Sequence, residues 1–362
     1  MNVILFTSAD NTSGGSRQAL YLAQGLAERG HKVLFFVPER SALPALAPDK
    51  DFWRFLCEAK TWRRSLESAM PTGNGPCVVH AFHNAAVKRL AWWGLFWKKR
   101  AATAAHRGVI FRPNNPLPYW SPGIDRFLVN SEACGRVLRG IGLSARRIAY
   151  VPNAVPDSRL VPGITSEELR SSLCIPPDAP IFLSIGGNKP YKGIRELILA
   201  FADAFPERGV REPHLVIVGV APHLWEPLAA EGGISRRIHC LGKTEDVASY
   251  LRAATVFVLP SLSESMPNTL LEAVRAGLPC IGTSVGAVPD ILNGTNTACG
   301  LVVPPGDIPA LTVSLRRMLA EPGLREALAA GAVSEGEGYK PEVRINLIEG
   351  IYMELLRNKG LL

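Results

Sequence analysis

Short apolar runs recur along the first half of the chain, at residues 3–6, 33–37, 77–80, 126–130 and 148–151, and stretches with helical spacing separate them. Runs that are apolar throughout, rather than alternating, belong to strands buried on both faces, so this order predicts β/α units around a parallel sheet. Between the first two runs Ala19, Leu22, Ala23, Leu26 and Ala27 fall on one helical face, and Gly30 suits the position just beyond a helix end. A second series, at 181–186, 215–219, 237–242, 256–260, 279–283 and 301–303, follows a proline-rich, aperiodic stretch at 152–163. The second half therefore repeats the architecture of the first. The pattern predicts two facing Rossmann-like α/β domains, residues 1–158 and 159–340, joined near 153–163. A last helix, with Ile345, Ile348, Tyr352 and Leu355 at helical spacing, lies within 341–362 and is expected to cross back to the first domain. Ligands of such sheets sit beyond the carboxyl ends of the strands, so the site is expected in the cleft between the domains.

A chain of 362 residues exceeds the size at which one core stops growing, in keeping with two domains. The net charge of +8 suggests an anionic partner: a nucleotide-sugar, a lipid head group or nucleic acid. Without a nucleic-acid motif, nucleic acid is the least expected of these. The amino terminus has no basic n-region, and nothing approaches the roughly twenty apolar residues of a spanning helix, so a cytoplasmic protein is expected. The seven cysteines are dispersed and lack any C-x-x-C pair. They are expected to be reduced core residues rather than a disulfide framework or a zinc site.

Ser13-Gly14-Gly15-Ser16 follows the first strand directly ahead of a helix. Glycines there let the backbone approach a phosphate at a helix N-terminus, although the same residues also serve as a plain turn. There is no full G-x-G-x-x-G, so no dinucleotide, and no other cofactor, is expected. Residues 260–280 read as a strand end, a loop and a helix closed by Gly277. Pro267 fits only the first turn of that helix, which places Glu264 just ahead of it and Glu272 inside it. A carboxylate accepts hydrogen bonds from two vicinal sugar hydroxyls, and the amides of Ser265, Met266, Pro267 and Asn268 suit an anionic group. The alternative is that Glu264 caps the helix and Glu272 is a solvated surface residue. Asp49-Lys50-Asp51 has the spacing of a metal-binding D-x-D but follows a proline-rich loop, and reads as a solvated turn.

Glu264 and Glu272 stand in a frame of strand, Pro-Ser, E-x7-E and A-x-x-x-G-x-P that resembles the family 4 glycosyltransferases. The resemblance takes in Gly14-Gly15 and residues 30–33, 129–132, 151–153, 277–279, 286–290 and 301–307. It implies a GT-B fold, a nucleotide-sugar donor, retention of anomeric configuration and no required metal. By the same resemblance Glu272 would hold the donor ribose, Glu264 the transferred sugar, and Gly14 and Gly15 the diphosphate. Residues 186–193 are similar to the family's G-R-L-x-x-x-K-G, which makes Lys192 the diphosphate clamp and, with Glu264, the catalytic pair. The family's usual arginine is Gly187 here, and Lys189 is the substitute. The family's strand-end histidine in the first domain is expected to be absent. Residues 111–115 stand in its place, and their Arg112 and Asn114 are the acceptor or sugar contacts. His80 and His83 come from the preceding strand end and fit a structural role equally.

Residues 87–100 join Lys88, Arg89, Lys98, Lys99 and Arg100 to Trp92, Trp93, Phe96 and Trp97. Four large aromatics within six positions cannot share one helix face, and rings flanked by cations suit a membrane interface. The segment is expected to touch an anionic membrane at the inner face of the cell membrane and to serve a glycan or lipid-linked acceptor. Packing on the sheet, with Leu90, Trp93 and Trp97 inward, is the alternative. The expected function is sugar transfer in cell-envelope polysaccharide or glycolipid synthesis. The alternatives are a GT-B epimerase or phosphorylase, or a non-catalytic nucleotide-sugar-binding subunit.

Overall fold

In the computed structural model, which describes residues 1–73, 75–206 and 212–362, the apolar runs build two separate parallel sheets. One unit comprises Met1–Ala154 with Pro341–Leu362, the other Val155–Lys340. The first unit runs β1 (Asn2–Thr7), α1 (Gly14–Glu28), β2 (Lys32–Pro38), β3 (Trp53–Leu56), α2 (Trp62–Ala69), β4 (Cys77–Phe82), α3 (Asn84–Trp93), β5 (Ala102–Arg107), α4 (Leu117–Trp120), β6 (Arg126–Val129), α5 (Glu132–Gly140) and β7 (Ile148–Tyr150). Its strand order is β3-β2-β1-β4-β5-β6-β7, so the winding reverses between β1 and β4.

The second unit runs α6 (Ser166–Ser172), β8 (Ile181–Ile185), α7 (Ile194–Ala204), β9 (His214–Val218), α8 (Glu226–Glu231), β10 (Ile238–Leu241), α9 (Val247–Ala253), β11 (Val256–Leu259), α10 (Asn268–Arg275), β12 (Cys280–Thr283), α11 (Val288–Asn293), β13 (Gly300–Val303), α12 (Ile308–Ala320) and α13 (Pro322–Gly336). Its order, β10-β9-β8-β11-β12-β13, reverses between β8 and β11. Local chemistry fixes several helix starts. Ser131, Asp246 and Asp307 each accept a backbone N–H from the first turn of the helix they precede, and Thr165 with Glu168 forms a reciprocal capping box.

Two strands escape the apolar pattern. Every residue of β5 is buried, yet its sequence is Ala-Thr-Ala-Ala-His-Arg, poor in the β-branched and aromatic residues that mark strands. β3 is a short edge strand whose Arg54 is exposed. Cysteine burial is also only partly as expected. Cys77, Cys134, Cys280 and Cys299 are buried, but Cys57 and Cys174 are exposed. They lie in loops, where no core is available to them.

The last helix, α14 (Pro341–Asn358), packs on the first sheet through Ile345, Ile348, Tyr352 and Leu355. It approaches α1 closely at Gly25, where a Cβ would stand 1.9 Å from the Ile345 Cδ1. His31 Nε2 and Glu349 Oε1 meet at 2.5 Å, and Arg29 pairs with the same carboxylate. Beneath α14 lie His80 and His106, both buried. His80 Nδ1 is 2.6 Å from the Tyr352 hydroxyl, and Arg344, also buried, donates to the Gln18 carbonyl at 2.9 Å. Burial, then the nearby charge of Arg344 and the neighbouring imidazole, depresses both histidines: His80 falls well below 6.5 and His106 to about 3.

Because these folded values lie below the unfolded one, the unfolded chain binds more protons as pH falls through 6.5. The stabilising contribution is therefore complete above that value and is lost progressively toward pH 3. Lowering the pH from about 7.5 to about 5 should cost roughly 2 kcal/mol for His106, with a loss of the same sign from His80. Six of the seven tryptophans precede residue 151, so urea unfolding followed by tryptophan fluorescence reads this unit. Stability that does not change over this interval would mean that the two imidazoles titrate freely in the folded protein.

Candidate active site

In doubly wound sheets the ligand crevice opens outside the carboxyl ends of the strands where the winding reverses. In the second unit these are β8 and β11, whose outgoing loops carry Lys192 and Glu264. Lys192 Nζ donates to Glu264 Oε1 at 2.7 Å, and the Ser261 hydroxyl donates to the same oxygen at 3.0 Å. The pair is shielded but open on one side, with 27% and 13% of the two side chains exposed. The loops are tied together by backbone: Leu262 N donates to the Tyr191 carbonyl at 2.7 Å, and Ala287 N to the Ser265 carbonyl at 2.8 Å. Such close approach excludes side chains. At Gly193, φ +68°, a Cβ would lie 1.9 Å from the Pro260 carbonyl oxygen, and at Gly286, φ +56°, 2.2 Å from that of Glu264.

Glu272 lies inside α10 and is buried, which rules out a solvated surface residue. Its Oε1 accepts a hydrogen bond from Arg159 Nε at 3.1 Å and lies in ion-pair contact with Nη2 at 3.1 Å, and Arg159 also donates to the Glu245 carbonyl at 3.0 Å. Sequence reasoning missed Arg159, because an arginine in an aperiodic connecting stretch carries no local signal. Of the turn ahead of α10, Pro267 has no N–H and the Met266 side chain is in the core. Any N–H contribution therefore comes from Ser265, Met266 and Asn268. Around Gly187 a side chain would meet nothing within 4 Å. Lys189 and Lys192 both place Nζ 5.7 Å from the centre of the Tyr191 ring, so two ammonium groups share this loop.

In the first unit the reversal lies between β1 and β4. Gly14 opens α1 after β1, and His83 follows β4. His83 Nδ1 is 2.7 Å from the Thr7 hydroxyl, while its Nε2 is 3.1 Å from where a Gly15 Cβ would stand. Gly15 thus makes room for an imidazole. His83 has φ +68° and ψ 150°, a backbone region reserved almost wholly for glycine that costs about 1–3 kcal/mol, and such strain concentrates at functional sites. Burial lowers its pKa, which keeps the ring neutral. The family's strand-end histidine is expected to be absent from this unit, yet a histidine does stand at the end of a strand beyond β4. His106 is the penultimate residue of β5, stacked on Phe82 at 5.2 Å, and it went unseen because β5 itself did. Arg112 and Asn114 lie beyond β5 in an exposed loop, where they line two neighbouring cavities of about 550 and 260 Å³.

Residues 12–159 match the sequence family described as Glycosyltransferase Family 4, and residues 179–321 the one described as Glycosyl transferases group 1. The chain belongs to glycosyltransferase family 4. It is 28% identical over 245 residues to a D-inositol 3-phosphate glycosyltransferase of Streptomyces bingchenggensis, covering 64% of this chain and 53% of that protein. It is 26% identical over 235 residues to the lipopolysaccharide core biosynthesis mannosyltransferase LpsB of Rhizobium meliloti, covering 60% and 66%. The chain thus spans only about half the length of the first of these relatives. Its fold is GT-B: the crystal structure of Anabaena HepE in complex with UDP superposes with a TM-score of 0.84 at 14% identity, over 98% of this chain and 100% of that one.

In this family 4 glycosyltransferase the aromatic segment divides. Trp97 is buried and donates from Nε1 to Glu67 Oε1 at 2.9 Å, and Trp93 packs against Phe6 and Trp97. Trp97 belongs to the core and cannot contact a membrane, because α3 ends at Trp93 and the following turn folds Trp97 inward, while Trp93 is partly buried at the edge of that core. Trp92 and Phe96 are 50% and 64% exposed, beside the exposed Lys98, Lys99 and Arg100. Among the described residues no helix is long and apolar enough to cross a membrane.

The close backbone approach at Gly286 yields a direct test. Gly286→Ala should lower the melting temperature and weaken nucleotide binding, because its Cβ displaces the backbone of Glu264, whereas Gly187→Ala should leave the melting temperature within a degree or so of wild type. Equal effects of the two substitutions in paired thermal melts would mean that the loop is not held by this contact.

Proposed function

We propose that this protein transfers a sugar, with retention of configuration, from a nucleoside-diphosphate sugar bound by the second unit to a glycan or lipid-linked acceptor bound by the first. The observation that carries the reading is the Lys192–Glu264 ion pair at the β8/β11 reversal. An ammonium held by a carboxylate is a cation kept in place without a ligand. When a donor enters, Lys192 exchanges that partner for the diphosphate, whose charge grows as the glycosidic bond breaks, and Glu264 is released toward the sugar hydroxyls. Lys189 supplies a second positive charge where the family's arginine is missing. Glu272, oriented by Arg159, accepts the two ribose hydroxyls. On this reading the cationic role at the leaving diphosphate is filled by side chains, and no metal takes part.

The names of the relatives support a place in polysaccharide or glycolipid synthesis, and HepE, crystallised with UDP and with UDP-glucose, makes uridine diphosphate sugars the first donors to test beside GDP- and ADP-sugars. A non-catalytic binding subunit is disfavoured by the intact Lys192, Glu264 and Glu272.

Glu272→Ala should weaken donor binding in calorimetry by roughly tenfold or more, since a bidentate acceptor is lost and Arg159 keeps only Glu245 as a partner. Lys192→Ala should lower turnover more than donor affinity. Turnover by the wild type should persist in excess EDTA. Unchanged donor affinity in Glu272→Ala, or activity abolished by EDTA and restored by magnesium or manganese, would contradict these assignments, the latter returning Asp49 and Asp51 to consideration.

The same reading extends to the membrane. Trp92 and Phe96 with Lys98, Lys99 and Arg100 form the contact, each basic residue contributing on the order of 1 kcal/mol near anionic lipid and less as salt rises. Flotation on anionic vesicles at low salt should retain the wild type and lose a Lys98, Lys99, Arg100→Ser variant. If the variant floats equally well, these residues do not dock the protein.

A further inference from the structure

The cavity of about 260 Å³ beyond the carboxyl ends of β4 and β5 carries positive charge that nothing in its wall neutralises. Arg107, the last residue of β5, is 97% buried by its 3% relative exposure, and it lines this cavity. It donates to the Tyr119 hydroxyl and to the Phe111 carbonyl, while its Nε has no partner. Neither acceptor carries charge: one is a carbonyl, and burial pushes the Tyr119 phenol up, away from ionisation. A buried guanidinium is ordinarily matched by a carboxylate, because desolvation of an unmatched ion is costly. Among the described residues Arg107 forms no ion pair, and no residue that lines the cavity is acidic. Two further cations, Lys88 and Arg112, stand on the same wall, exposed and without an ion-pair partner among the described residues. Asn84, Asn114 and Asn115 add neutral donors, and Asn84 also opens α3, at the positive end of that helix.

We infer that this cavity is an oxyanion site, and that it receives a phosphate group carried by the acceptor. Arg107 and the α3 terminus supply fixed positive potential, while Lys88 and Arg112 make the direct contacts. The shape agrees with the charge. The volume has room for a phosphomonoester, and the larger cavity that shares Arg112, Pro113 and Asn114 with it, lined also by Trp120, has room for the rest of the acceptor. The charge pattern stands by itself, and only the word acceptor rests on the transferase reading above.

The two are separable by direct binding. Glycerol 3-phosphate, glycerol and vesicles containing phosphatidic acid are titrated into the wild type, a Lys88→Gln, Arg112→Gln double variant and an Arg107→Gln variant, all with UDP present to occupy the second unit. UDP affinity is measured in parallel. Wild type should bind glycerol 3-phosphate but not glycerol. The double variant, altered only at exposed positions, should bind it at least tenfold more weakly with UDP affinity unchanged. Binding of glycerol 3-phosphate identifies a soluble phosphorylated acceptor, and vesicle binding that the double variant loses, without glycerol 3-phosphate binding, a phospholipid head group. The inference is overturned if the wild type binds no glycerol 3-phosphate and its vesicle binding does not depend on Lys88 and Arg112, or if the double variant binds as tightly as wild type. If UDP does not bind while glycerol 3-phosphate does, the donor assignment fails and the anion site stands. Arg107→Gln, which removes a buried charge, should lower phosphate affinity without the loss of melting temperature expected had the arginine served only to brace the loop.

Discussion

Everything proposed for the second unit depends on two loops being able to touch at the reversal of the sheet. Parallel strands place all their outgoing loops on one edge, and at the reversal the helices depart to opposite faces, leaving a gap between neighbouring loops. Lys192 and Glu264 come from the two sides of that gap and close it with one ion pair. The contact exists only because Gly193 and Gly286 allow backbone to lie where a Cβ would otherwise stand. An ion pair this accessible to solvent adds little to stability. Its consequence is placement: the ammonium and the carboxylate are held together at the reversal of the sheet.

The first unit solves a different problem. It encloses cations and imidazoles without matching them to acids. Arg344 remains charged even though burial lowers it to about 10, and together with burial it holds His80 and His106 neutral. The cost is offset by the apolar contacts of α14, whose Ile345, Ile348 and Tyr352 complete the core over the same strands. At the edge of that core the arrangement changes. His83 is strained into the place that Gly15 vacates, and Arg107 faces a cavity rather than a carboxylate. Uncompensated charge in the interior of this unit is structural, whereas at its strand ends it faces open space where an anion fits.

The sequence by itself determined the two α/β sheets, the placement of Glu264 ahead of α10 and of Glu272 within it, and the inward stripe of α14. These features are legible because each follows from a short repeat: continuous apolar runs for buried strands, helical spacing for α14, and the constraint that proline imposes at a helix start. The glycosyltransferase frame was equally legible, as an ordered set of local motifs. Only the tertiary structure decided what those residues touch. Nothing local joins Lys192 to Glu264 across 72 positions, or Arg159 to Glu272 across 113. β5 was invisible because alanines with a histidine and an arginine make a strand only when neighbours bury both faces. With β5 went His106 and Arg107, and the division of the tryptophan segment depended on which way a turn after α3 happened to fold. Periodicity reports which side of an element is buried; the partner on that side is set by chain topology, which a linear pattern does not contain.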